Sequence, residues 1–201
     1  MQFVYSYAGV IVTIWITLGV YWVGKRYPNY DHWQNFCSEL GAKGSPTEKL
    51  SPLINNYPLG FLFCVSGWQL AKIAPNNLPL FTAGCLVILH GIGTWFAGYF
   101  PMDKDPYTET PSLSCQIHSW AGFVMLLSLL IAPLLVAFSY ETEFISITFR
   151  VYSVMTCIVA VYFLMRMARA FKTRKNVGLH QRLSYWVKLI WLSLLTLHVA
   201  V

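Results

Sequence analysis

Six long apolar runs alternate with short polar stretches along the chain, each run close to the roughly 20 residues that cross about 30 Å of hydrocarbon. The pattern predicts membrane spans over residues 3–24, 52–73, 78–100, 115–138, 147–167 and 184–201. The expected fold class is all-α: one polytopic domain over 1–201, a six-transmembrane-helix bundle. The first run has no basic leader and no small-residue cleavage site before Lys25-Arg26, so it reads as a first span rather than a removable signal. After it, Trp33, Phe36, Cys37 and Leu40 fall on one helical face, predicting a short interfacial amphipathic helix over 31–41. Ala74-Pro75-Asn76-Asn77 reads as a tight turn.

Glycines add a packing signal. Gly60 and Gly67 on the second span, and Gly84, Gly91 and Gly98 on the third, recur every seventh residue. Small residues on one stripe let helix backbones approach closely in lipid, so these two spans are expected to form a tight hairpin.

Composition excludes a water-coated domain: 56% of residues are hydrophobic and only 11% charged, against about 25% charged in soluble domains. The net charge of +6 is then a matter of topology rather than of nucleic-acid binding. Of the 14 Lys and Arg, all but Lys72 and Arg150 belong to the first, third and fifth connections or the start of the last span. The positive-inside rule puts those loops in the cytoplasm and both termini outside. The five cysteines are an odd number, three of them inside apolar runs, where free cysteine acts as a small hydrophobe. Trp33, Trp95, Trp120 and Trp186 lie near span ends, as interfacial anchors do.

Several short motifs occur in a fixed order: Ser38-Glu39-Leu40-Gly41, Asn56 with Gly60, Gly98, Phe100-Pro101-Met102-Asp103, His118, and Gly178-Leu179-His180-Gln181-Arg182. This order resembles a six-helix prokaryotic integral membrane family catalogued as a domain of unknown function. Its marks are a Ser-Glu-Leu-Gly turn, a Phe-Pro-x-Asp motif and a following histidine. The resemblance spans roughly residues 30–191 and implies a bacterial plasma or inner membrane location. Members commonly begin with basic residues, which implies the opposite orientation to the one the charges here predict. It implies no chemistry.

The candidate chemistry converges on one membrane face. A hydrolytic site needs an acid, a base and a hydroxyl in reach of water. Asp103 and His118, with His90 or His180 as a third ligand, are the candidates for a metal, zinc being the expected one. Glu39 is the candidate base and Ser38 the candidate hydroxyl, with Asn56, Arg182 and Trp120 to hold substrate. The plainer reading has His118 hydrogen-bonding to Asp103 or Ser38 and pinning the loop to the bundle. Haem is not expected, because His90 and His198 fall at different depths, and Cys115 with Met102 is expected to pack rather than bind soft metal. Lys188 is expected to snorkel to the basic interface, no acidic residue being available to serve a retinal-type Schiff base. The expected function is a polar pocket binding a lipid or small amphiphile, or a subunit contacting a protein partner within the membrane. The alternative is a membrane-embedded metal-dependent hydrolase of lipid-like substrates.

Overall fold

The computed structural model describes residues 7–73, 75–139 and 145–199. Six helices cover most of them: α1 (Ala8–Gly24), α2 (Tyr57–Ile73), α3 (Leu78–Tyr99), α4 (Leu113–Ala137), α5 (Ile147–Thr173) and α6 (Val177–His198). Each packs against the next in sequence, and α1 packs against α6, so the six close into a ring. The chain is a polytopic membrane protein. α3, α4 and α5 are each long and apolar enough to cross a membrane, and α1 is a shorter apolar helix. α6 has the length but carries an inward polar stripe, which lowers its hydropathy.

Local chemistry sets the helix starts. Asn77 Oδ1, Ser112 Oγ and Ser146 Oγ accept from the backbone N–H of Leu80, Cys115 and Phe149, capping α3, α4 and α5. α2 is preceded by a wide turn, Pro52–Asn56, in which Tyr57 N reaches back to Pro52 O. The hairpin expected from the glycines is present. A Cβ on Gly84 would lie 2.7 Å from both Ala71 N and Gly67 O, and one on Gly91 2.6 Å from Gly60 O.

Three boundaries depart from the sequence reading. α5 runs on to Thr173, because nothing in 168–173 breaks a helix once the apolar stretch has ended. α6 begins at Val177, so Gly178–Arg182 is its first turn and the basic loop shrinks to 174–176. The turn is closed by left-handed backbone at Arg174 (φ 55°) and Asn176 (φ 56°). The interfacial helix is reduced to a single 3-10 turn, Cys37–Gly41. Its Leu40 is fully buried against Val20 and Val23 of α1 rather than lying along the membrane surface. The outer residues of the first and last predicted spans, with Glu141 and Glu143, lie outside the described residues.

The ring is packed unevenly along its axis. Leu70, Leu80, Val136, Ile145, Trp191 and Leu195 fill the half near the α2–α3 and α4–α5 turns, and Trp191 Nε1 donates to Ser153 Oγ at 2.9 Å. The other half, closed by the motif-bearing loops, is hollow.

Candidate functional site

A cavity of about 640 Å³ occupies that hollow half, and all six helices contribute to its wall. It descends from the motif loops (Ser38, Met102, Pro106) to His90 and Lys188. His90 lies about 15 Å along α3 from Phe100, and Lys188 about 16 Å along α6 from Val177, at 1.5 Å per residue. With a hydrocarbon core about 30 Å thick, the floor is near the bilayer midplane.

Each helix presents a stripe to this space. The wide turn before α2 directs two consecutive asparagines inwards. Asn56 packs against Gly98 and donates to Thr94 O at 3.2 Å. Asn55 abuts Gly19 of α1, where a side chain would overlap its Oδ1, an atom buried without a hydrogen bond. On the floor His90, 8% exposed, packs against Phe63, the ring centroids 4.3 Å apart and the planes tilted by 60°. Its Nδ1 must donate to the Met125 carbonyl at 2.9 Å, leaving Nε2 as the acceptor of the neutral ring. Lys188 is 4% exposed and lines the cavity. It is held in the cavity wall rather than extended to the rim, and no Asp or Glu occurs in any of the six helices.

The motif residues stitch the rim together. His118 Nδ1 lies 2.9 Å from both Ala97 O and Phe100 O, joining α4 to the end of α3. Pro101 O accepts from Ser114 Oγ at 2.8 Å, and Met102 O from Lys43 N at 2.9 Å. Asp103 takes Ser112 N at 2.8 Å and Ser112 Oγ at 2.7 Å. Glu39 Oε1 and Oε2 accept from Phe36 N (2.7 Å) and Asn35 Nδ2 (2.8 Å), capping the 3-10 turn. Arg182 donates to Asn35 O at 2.9 Å and to the Tyr30 hydroxyl at 2.6 Å. Gln181 Oε1 receives Cys37 N at 2.8 Å. Gly178 is required here, because any side chain would collide with Asn35 O.

The expected chemical groups are therefore distributed, not assembled. Ser38, Asn56, His90 and His118 line the cavity, whereas Glu39, Asp103, His180 and Arg182 do not. Trp120 is 69% exposed on the outer surface, edge-on to Phe123. His118 pins the loop as the plainer reading held, but through backbone carbonyls rather than Asp103 or Ser38. Among the described residues no three His, Cys, Asp or Glu side chains come together as a metal site. His198 is held at the other end of the ring, stacked on Phe149 and accepting from Ser146 N at 3.3 Å. Met102 and Cys115 pack with Ala42. Burial pushes the Cys37 thiol above its ordinary value, so it stays protonated.

Hydrogen bonds from Ser112 N and then Ser112 Oγ hold the Asp103 carboxyl below the usual carboxylate value. A depressed folded-state value contributes stability above the unfolded value, near 4, that is lost as pH falls through the folded one. Asp103→Ala should lower the melting temperature in detergent at pH 7, and the gap to wild type should close below about pH 4. A gap unchanged in acid would place the loss elsewhere than in the carboxylate.

Sequence reasoning passed over Asn55, Thr94, Gly122 and Tyr185, and misplaced Lys188. A signal was present. Gln181, Ser184, Tyr185 and Lys188 fall at i, i+3, i+4 and i+7 of α6, as do Cys115, His118, Ser119 and Gly122 of α4. In lipid such a stripe marks the side turned away from the acyl chains.

No curated protein and no solved structure matches the chain. A family model does, over residues 5–198, nearly the full length and all six helices. The chain thus belongs to the family described as "Protein of unknown function (DUF998)".

Proposed function

We propose that this membrane protein binds a lipid or small amphiphile inside the helix ring. The reading rests on one observation: the motif-side half encloses about 640 Å³ whose wall is mainly apolar, with a few polar groups. Ligand sites commonly occupy about 300–1,000 Å³ with this character. Phe36, Met102, Leu164, Met167 and Phe171 suit an apolar body, and His90 and Lys188 at the floor suit a polar end. Nothing comparable supports the hydrolase alternative, whose candidate base Glu39 and candidate metal ligand Asp103 are engaged at the rim.

Gly122 provides the test. It lines the cavity, and a Cβ built there meets nothing within 4 Å, so a large side chain can enter the space without displacing the helices. Wild-type protein purified in a maltoside and extracted with solvent should yield about one amphiphile per chain by mass spectrometry, and Gly122→Trp less than about a fifth of that, while still eluting as a folded protein on size exclusion. An empty wild-type protein that no added amphiphile stabilises would overturn the reading.

A further inference from the structure

The floor of the cavity carries a positive charge that the protein leaves without a counter-ion. Lys188 is 96% buried by its 4% exposure. No acidic residue stands in any helix, and among the described residues no side chain pairs with its ammonium. Buried charge in lipid is costly and is ordinarily paired.

The neighbourhood suits an anion. Ser184, one turn before Lys188, is a buried hydroxyl donor on the same stripe, and the neutral His90 ring, its Nδ1 committed to Met125 O, adds no negative charge. Above this floor the wall mixes Leu164, Met167 and Phe171 with uncharged polar groups such as Ser38, Asn56 and Gln181. Among the lining residues Lys188 is the one Lys or Arg, and it stands at the floor, away from the motif-side face.

We propose that the ligand is an anionic amphiphile bound head-down, its carboxylate or phosphate paired with Lys188 and its apolar body extending towards the motif loops. This deepens the reading above and rests on it. The protein supplies the cation; the ligand completes the ion pair.

Three probes of one chain length test it in non-ionic detergent at pH 7: hexadecanoate, hexadecyl phosphate and hexadecanol. Wild-type protein should bind at least one of the two anions about tenfold or more tighter than the alcohol, and which anion is preferred identifies the headgroup. Lys188→Met should abolish the preference while retaining hexadecanol affinity within about twofold, and should melt no lower than wild type, because it removes an unpaired buried charge. Lys188→Gln serves the same comparison should the methionine variant fail to fold. Equal affinity for all three in wild type would overturn the anionic assignment and leave the cavity reading standing. Failure of all three to bind would overturn both. Acetate competing as well as hexadecanoate would also overturn the assignment, since the site would then recognise a small anion alone.

Discussion

A Gly84→Leu chain is expected to lose its bundle: about 3 kcal/mol or more of stability, seen as a collapsed melting transition and aggregation on size exclusion in detergent. The magnitude follows from what surrounds the missing Cβ. Gly84 and Gly67 face each other across α2 and α3, and a Cβ on Gly67 would lie 2.5 Å from Gly84 O and 2.7 Å from Ile88 N. These neighbours are backbone atoms of another helix, so no rotamer change relieves the overlap and the helices must part. Parting them opens the seam along its length, because Gly60 and Gly91 repeat the contact nearer the cavity. Net stabilities are about 5–15 kcal/mol, so a loss of this size removes a large share. Leucine at Gly122, where a side chain meets open space, is the control. Similar melting of the two variants would mean that the α2–α3 contact is not what holds the hairpin.

The second large effect is expected at Arg182. Its two terminal nitrogens reach Asn35 O and the Tyr30 hydroxyl, tying the first connection to the start of α6. Arg182→Met should cost about 3 kcal/mol, since it leaves acceptors of a charged donor unsatisfied in a half-buried setting. Lysine should rescue poorly, because one ammonium cannot span both acceptors as a planar fork does. The sharper measurement is limited proteolysis. Residues 30–41 should become cleavable in the variant while the helices remain protected. Protection unchanged from wild type would mean that Leu40, the Glu39 cap and Gln181 hold the segment without the arginine.

Much of the fold was legible because lipid enforces it. Apolar runs of spanning length have few alternatives to helices, and glycines at a seven-residue period leave few alternatives to a close hairpin. The missed boundaries lie where hydropathy and helicity separate. α5 leaves the apolar stretch and stays helical to Thr173, and α6 is helical from Val177 although its first turns are polar. The site was legible only in part. Motif residues such as Glu39, Asp103 and Arg182 attract attention because they are charged, yet each is held by backbone or loop partners at the rim. The cavity itself depends on which way modest residues turn. Asn55 and Asn56 are adjacent in sequence and lie in the wide turn at Pro52, where both line the cavity, one against Gly19 of α1 and the other against Gly98 of α3. Lys188 could be read as an interfacial lysine so long as α6 was taken to begin at Ser184. With α6 starting at Val177 it is the twelfth residue of the helix, buried in the cavity wall.

Closure of the ring between α1 and α6 also bears on synthesis. The first helix made is completed by the last, so at ribosomal speeds α1 waits on the order of ten seconds for its neighbour. A hydroxyl left alone in hydrocarbon over that interval would be a liability. The seam avoids it by duplication. Thr13 Oγ1 has an acceptor in its own helix, Gly9 O at 3.1 Å, and one across the seam, Leu189 O at 3.2 Å. Ser193 Oγ mirrors it, with Leu189 O at 2.9 Å in its own helix and Gly9 O at 3.0 Å across. Each helix can therefore be inserted with its seam hydroxyl already satisfied and exchange partners when the other arrives, so that the Thr13 hydroxyl of nascent α1 is not an orphaned donor before the translocon, chaperones or quality-control proteases while the chain is still growing.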